Sequence, residues 1–407
     1  MAELIALPRF GVCYTPRRRW FHAWLDFDPE EAREDLAQVA ELGLDHIRVF
    51  HLWPLLQPNR TVIREEAVEQ LLALVDVAAG CGLDVVVDAL QGHLSSFDFY
   101  PSWTQTWHAR NIFTDPEVVD AQVALLRRLG TALGTRPNVF GLQLGNEMNN
   151  LVEHNPASVA EIDGWLDTLL AAASEAMPGR LVTHSSFDAA WYRDDHPFTP
   201  QASAGKGALT TVHPWVFTGN CAQRYGALSV PATHLAEYGV EIAKAYADQP
   251  HRLVWVQEVG APQPHVPVAD APEFARRSIR NVLDCPDVWG VTWWCSHDVD
   301  RTLADYPELE YTLGLVDSTG SVKPIGYAVA DTVRELRAQP PAPAARTTAL
   351  VLECDHSNRS VSGPGGGYFE AWMGLRAQGN RLAVVLAERA GDPGYLAARG
   401  IKRLLQP

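Results

Sequence analysis

The sequence predicts an α/β protein: a (β/α)8 barrel followed by a small C-terminal α/β appendage. Three observations carry this expectation. Short apolar runs alternate with stretches of helical period along most of the chain; two of those runs end in a carboxylic acid; and the alternation stops at a proline-rich break, QPPAPAART, at residues 339–347. Alternation of this kind implies parallel strands joined by right-handed crossovers. Eight such units close into a barrel whose functional residues sit at the C-terminal ends of the strands. At 407 residues the chain has room for a barrel of roughly 250 residues or more plus an appendage.

The first strand spans residues 10–14 and leads into an aromatic loop with Trp20, Phe21, His22 and Trp24. Asp28 and Pro29 then open a helix that runs to Leu42 and ends at Gly43, with cap, proline and glycine in the order a helix uses them. HIRVFHLW at 46–53 is the second strand, and residues 64–79 are its helix, with Val68, Leu71, Leu72 and Val75 on one face. DVVVDAL at 84–90 is almost continuously apolar, as a strand buried on both faces must be. An insertion at 91–115 carries Phe97, Phe99, Tyr100, Trp103, Trp107 and Phe113. So many aromatic rings either pack as a satellite core or form a stacking wall for a ligand.

A helix at 116–133 precedes the fourth strand, VFGLQLG, which closes on Asn146 and Glu147. The remaining strands are LVTHSSF at 181–187, LTTVHPW at 209–215, LVWVQEVG at 253–260 and VWGVTWW at 288–294. Helices are expected at 159–177, 235–248, 272–283 and 326–338. We read residues 1–338 as the barrel, 339–347 as a linker and 348–407 as the appendage. The appendage holds about two strands, a glycine-rich turn (SGPGGG) and a helix near 368–377. That glycine run lacks the GK[ST] of a phosphate-binding loop and is expected to be a flexible turn.

Composition narrows the function. Hydrophobic residues make up 47% of the chain, enough for a large core, and the net charge of −16 argues against nucleic acid or an anionic membrane as partner. No segment resembles a leader or a membrane span, so the expectation is an uncleaved cytoplasmic protein. Cys13, Cys81, Cys221, Cys285, Cys295 and Cys354 lack metal-like spacing and are expected as reduced thiols. The histidines His93, His108, His184, His196 and His213 form no HExxH pattern, so neither a metal nor a cofactor is expected. The sequence leaves the oligomeric state open, a homodimer included.

The chemistry starts from Glu147 and Glu258, each at the end of its own strand and able to face the other across a barrel mouth. Glycoside hydrolysis with retention needs one protonated carboxyl and one ionised carboxylate, roughly 5 to 5.5 Å apart. Asn146, beside Glu147, offers an amide to a sugar 2-hydroxyl.

This pairing of Asn146-Glu147 with Glu258 resembles clan A of the glycoside hydrolases, and over residues 10–338 the chain looks most like glycoside hydrolase family 5, whose members are TIM barrels. The resemblance implies Glu147 as acid/base and Glu258 as nucleophile. It implies Arg48 as the arginine that keeps the nucleophile ionised, since a nearby guanidinium favours the charged carboxylate. His213 resembles the strand-six histidine. Two residues later the family carries a tyrosine where this chain has Trp215. Trp294, in preference to Trp293, resembles the tryptophan platform under the sugar. The family ends strand three in Asp-Leu-His, whereas Asp88 is followed here by Ala89, Leu90 and Gln91, so Gln91 or His93 fills that place. Trp103 is a candidate for the stacking wall. The run YTLGLVDSTGSVKPIG at 311–326 resembles one in exo-acting members of the clan.

The lack of a leader and the long loops at 91–115, 187–208 and 295–322 point to an exo-acting enzyme on small oligosaccharides. The build resembles the family's β-mannosidases, which implies release of terminal β-mannose from mannobiose or mannosyl-N-acetylglucosamine. An endo-acting β-glucanase or β-mannanase, and a non-catalytic carbohydrate-binding barrel, are the alternatives.

Overall fold

Eight parallel strands form one sheet in a computed structural model that describes residues 8–107 and 109–407. The N-terminal segment 1–7, expected to be uncleaved, and His108 lie outside the described residues. The strands are β1 (Arg9–Cys13), β2 (His46–Phe50), β3 (Asp84–Asp88), β4 (Val139–Gln143), β5 (Leu181–Thr183), β6 (Thr210–Val212), β7 (Val254–Val259) and β8 (Val288–Trp293). The ladder runs β5-β4-β3-β2-β1-β8-β7-β6, so the first and last strands pair, with Gly11 opposite Thr292. The seam between β5 and β6 is closed without a regular ladder. Ala208 N–H donates to Val182 O (2.8 Å), and the Thr183 and Thr211 hydroxyls donate to Leu209 O and His184 O (3.0 and 2.9 Å). Two threonines thus complete the (β/α)8 TIM barrel that the alternation predicts.

Three of the barrel helices open on a side-chain cap and an apolar stripe. Asp28 accepts from Glu30 N–H at the start of α1 (Pro29–Glu41). Asp115 does the same for α3 (Pro116–Leu133), and Ser158 with Glu161 makes a capping box for α4 (Val159–Ala176). The other barrel helices are α2 (Glu65–Gly80), α5 (Leu235–Tyr246), α6 (Ala271–Leu283) and α7 (Pro324–Ala338); the crossover between β5 and β6 carries only short helices at Ala189–Tyr192 and Pro200–Gly205. No described helix is long and apolar enough to cross a membrane. All six cysteines are free thiols.

The floor of the barrel is plugged by large rings. Trp255 and Trp289 lie 4.4 Å apart, Phe140 stacks on Trp289 at 5.5 Å, and His46 and Trp255 both hydrogen-bond Thr292 Oγ1 (2.9 and 2.8 Å). Gly11 makes room for this plug, since a Cβ there would lie 2.2 Å from the His46 ring. With the bottom filled, only the C-terminal end of the barrel is left to form a site.

The aromatic insertion mostly packs as a satellite core. Phe97 and Phe99 meet Phe21 at 5.7 and 4.7 Å, and Phe113 meets Trp165 at 5.1 Å. The C-terminal segment is a parallel sheet of three strands, β9 (Thr348–Leu352), β10 (Leu382–Leu386) and β11 (Arg403–Leu405), in the order β10-β9-β11. The third strand was not foreseen, because three residues are too few to show a period. A helix, α8 (Gly367–Ala377), joins β9 to β10. The glycine run before it is a close-packed turn: a Cβ at Gly366 would meet Val361 O at 2.3 Å.

Every residue of α5 is buried, with the barrel on one side and the C-terminal sheet on the other. That burial encloses Glu237 and Glu241, whose charges are compensated by arginines from the C-terminal segment. Arg346 reaches Glu237 at 2.8 Å and Asp284 at 3.0 Å, Arg376 reaches Glu237 at 3.1 Å, and Arg399 reaches Glu241 at 3.3 Å.

Candidate active site

The fourth strand delivers its acid through an unusual turn. Gly145 brings the end of β4 against the end of β3 so closely that a Cβ would sit 2.0 Å from Leu90 O. Glu147 follows in the left-handed region (φ 46°, ψ 44°), a conformation that costs a non-glycine residue roughly 1–2 kcal/mol. Such strain persists where surrounding bonds fix it, and here the Ser185 hydroxyl accepts from Glu147 N–H (3.2 Å). The turn points the Glu147 carboxyl into a cavity of about 310 Å³ at the barrel mouth, shared with Glu258, Trp215, Trp294, His93 and Glu310.

Arg48, fully buried in the middle of β2, organises one side. Its Nη1 donates to Glu258 Oε1 (2.5 Å), and its Nη2 donates to Asp88 Oδ2 and Asn146 Oδ1 (both 2.6 Å). Burial opposes the charge on Arg48, but the Asp88 and Glu258 carboxylates outweigh it and hold the guanidinium protonated. Asn146 also donates to His93 O (3.0 Å), so its amide is locked in one orientation.

His213 lies between the two acids. Its Nδ1 is 2.6 Å from Glu147 Oε1 and 3.4 Å from Glu258 Oε2, and its Nε2 faces Gln257 Oε1 at 3.1 Å. The Gln257 amide nitrogen donates to Gln143 Oε1 (2.5 Å), and Gln143 donates in turn to the Ser185 hydroxyl (2.8 Å). This direction of donation leaves Gln257 Oε1 as an acceptor, so His213 carries a hydrogen on Nε2 and turns Nδ1 to Glu147. Trp215 donates its indole N–H to Glu258 Oε2 (3.2 Å), and Asn150 donates to Glu147 Oε2 (3.2 Å).

The ligand-type oxygens of Glu147 and Glu258 and the His213 nitrogen all lie within 4.8 Å of one another. Those are donor types that suit a metal, but Arg48 already supplies Glu258 with a cation. The acids differ in environment. Burial pushes the Glu258 carboxyl above its usual range, against the pull of His213 and Arg48. At Glu147 burial acts the same way, yet the hydrogen bond and charge of His213 outweigh it and hold the carboxyl low. Burial disfavours the His213 cation, but Glu258 and Glu147 together raise its pKa. One proton is therefore shared across the 2.6 Å His213–Glu147 contact, with the balance toward His213.

Of the residues singled out from sequence, the structure gathers Glu147, Glu258, Arg48, Asn146, His213, Trp215, Trp294 and His93 at this cavity. Trp293 turns instead into the core between barrel and helices. Gln91 does not line the cavity; it is fully buried and donates to His93 O (2.9 Å). Trp103 also lies elsewhere, because its indole donates to Gln57 O (2.9 Å) and packs edge-on against Trp53 at 5.9 Å. Sequence reasoning missed Glu310, Asn150, Ser185, Phe187 and Phe217; Ser185 and Phe187 lie at the end of the run LVTHSSF, whereas no strand-end pattern marks the other three. For Asn150 the cue was proximity to Glu147 by one turn. Burial pushes the Glu310 carboxyl up to about 7.

This chain is similar to solved structures of GH5_18 from Streptomyces cattleya. One is in complex with GlcNAc (57% identity over 98% of this chain and 98% of that chain, TM-score 0.97). Another, a variant of that protein with one glutamate replaced by alanine, is in complex with Manβ1-4GlcNAc (57% identity over 98% of this chain and 99% of that chain, TM-score 0.97). A GH5_18 from Bifidobacterium longum subsp. infantis is 45% identical over 98% of this chain and 96% of that chain, with a TM-score of 0.94. No family model and no curated protein matches the chain.

Proposed function

The chain belongs to glycoside hydrolase family 5, alongside the GH5_18 proteins, and from that premise we propose that it is a retaining, exo-acting β-mannosidase that cleaves Manβ1-4GlcNAc or a similar short saccharide. The observation that carries the mechanism is the pair of carboxylates, Glu147 and Glu258, with oxygens within 4.8 Å of each other in the cavity at the barrel mouth. That spacing leaves no room for a water between sugar and nucleophile and suits double displacement. The sugar follows from the Streptomyces cattleya GH5_18, whose structure holds Manβ1-4GlcNAc.

In the first step a Glu258 oxygen bonds to the anomeric carbon as the bond to the leaving oxygen breaks, and that oxygen takes a proton from Glu147. Arg48 and Trp215 keep Glu258 ionised and aimed. As Glu258 forms its ester, its negative charge disappears, and with it a main reason for His213 to hold the shared proton. The proton is thereby released toward Glu147 when the leaving group needs it. In the second step water attacks the same carbon, gives its proton to Glu147 and frees Glu258. Asn146 is placed to meet the 2-hydroxyl, where a bond strengthens in the transition state.

The test is hydrolysis of aryl β-mannoside, β-glucoside and β-galactoside alongside Manβ1-4GlcNAc, with the first-formed anomer read by NMR. Preferred release of mannose as the β-anomer supports the reading. Preference for another sugar, or first release of the α-anomer, refutes it.

A further inference from the structure

Glu310 sits in a 3-10 turn (Glu308–Tyr311) of the long loop after β8 and reaches the catalytic cavity as a third buried carboxyl, 6% exposed. Its partner comes from another loop. Residues 93–98 form a two-stranded ribbon, His93 opposite Asp98 and Leu94 opposite Phe97, turned by Ser95 and Ser96 with φ of 50° and 68°. Such turns favour Asn-Gly, so two serines there store strain, as residues at ligand-binding sites often do. What holds them is a directed chain. The Trp20 indole, which can only donate, bonds Ser95 Oγ (3.1 Å), and that hydroxyl donates to Glu310 Oε2 (3.0 Å).

A buried carboxylate with one neutral donor is under-satisfied, because its two oxygens accept about four hydrogen bonds. Burial pushing this carboxyl up to about 7 expresses the same shortage. The Trp294 indole N–H is directed at the same carboxyl and pulls its pKa down, but no bond within hydrogen-bonding geometry forms between them. Both gaps face the space that a sugar on Glu258 fills, and a sugar ring offers adjacent hydroxyls that donate to a carboxylate and accept from an indole. Among the described residues Glu310 forms no hydrogen bond with Glu147 or Glu258, so a ring that touches all three presents its anomeric end to the pair and other hydroxyls to Glu310.

We propose that Glu310, held by Ser95, is a specificity-determining residue that accepts hydrogen bonds from hydroxyls of the terminal sugar remote from its reacting carbon. This rests on the glycosidase reading of the same cavity. It goes further by naming the group that recognises the non-reducing end.

The experiment is a cycle between enzyme and substrate. Wild type, Glu310→Gln, Glu310→Ala and Ser95→Ala are assayed on aryl β-mannoside and its 3-, 4- and 6-deoxy analogues. Loss of a hydrogen bond to a charged group corresponds to about ten- to hundredfold in kcat/KM. Wild type is expected to lose that much with at least one analogue. Glu310→Ala is expected to lose as much on the parent substrate and nothing more on that analogue. Ser95→Ala keeps the carboxylate and should retain discrimination among the analogues, which a merely structural Glu310 does not predict. Glu310→Gln keeps the shape should the alanine variant fold poorly. Additive losses with all three analogues overturn the proposal while leaving the β-mannosidase reading intact. If wild type prefers another aryl glycoside, that reading falls, and the same cycle on deoxy analogues of the preferred sugar still decides the role of Glu310.

Discussion

In the proposed mechanism, replacing Glu147 by glutamine removes the proton donor and little else. The amide has the shape of the acid, and His213, with Nε2 facing Gln257, still presents Nδ1 at the position 2.6 Å away, where it can accept from the new amide. General acid assistance contributes about 10²–10⁴ in rate, or roughly 2.7–5.5 kcal/mol of barrier. The leaving oxygen of Manβ1-4GlcNAc is a poor leaving group without a proton, so the full loss is expected there. A 2,4-dinitrophenolate departs unprotonated, so glycosylation from the dinitrophenyl β-mannoside should proceed near the wild-type rate. It should then stall, because the second step lacks its base. The assay is stopped-flow release of dinitrophenolate, read as a burst equal to the enzyme concentration, beside steady-state hydrolysis of the disaccharide. Equal losses on both substrates, or undiminished hydrolysis of the disaccharide, would refute Glu147 as the acid/base.

Three other perturbations test the surrounding groups. Trp215→Phe keeps the stack on Phe217 (5.1 Å, 15°) but removes the N–H donated to Glu258; kcat should fall about tenfold with the melting temperature unchanged, and an unaltered kcat would show that Arg48 alone positions the nucleophile. In a pH profile of kcat/KM, acid loss should set in as Glu258 protonates above its ordinary 4.5, and alkaline loss as the His213–Glu147 pair gives up its proton above 6.5, because both pKa values are raised; an alkaline limb below 6.5 contradicts the shared proton. Glu310, pushed up to about 7, titrates in the same window, and Glu310→Gln separates its contribution. Arg346→Ala leaves Glu237 and Glu241 buried with less compensation and should cost about 3 kcal/mol, read by chemical denaturation, whereas a loss under about 1 kcal/mol would mean that Arg376 and Arg399 suffice.

Much of the barrel was legible because its determinants are local. An apolar run of five or six residues followed by a capped amphipathic helix writes one βα unit into some 30 to 40 residues, and the same unit repeated fixes a parallel, closing sheet. A residue at a strand end inherits its place from the strand, which is why Asn146, Glu147 and Glu258 are legible from position, while Arg48, His213 and Trp294 follow from the resemblance to family 5. Gln91, named through the family resemblance, and Trp103, named as one ring of an aromatic loop, lie elsewhere, because past the strand end the chain turns and the register no longer tells where a side chain points.

The sequence by itself therefore determined the barrel, its order of strands and the strand-end acids, all consequences of short-range periodicity and excluded volume. Only the tertiary structure decided how those groups pair. It set the Gln143–Gln257–His213 relay that turns one histidine nitrogen toward Glu147, the Trp215 indole on Glu258, the threonine seam between β5 and β6, and the approach of Glu310 from the loop after β8 to Ser95 on the loop after β3. These link residues as far as 215 positions apart. Their geometry depends on loop closure and side-chain direction, which no local pattern encodes.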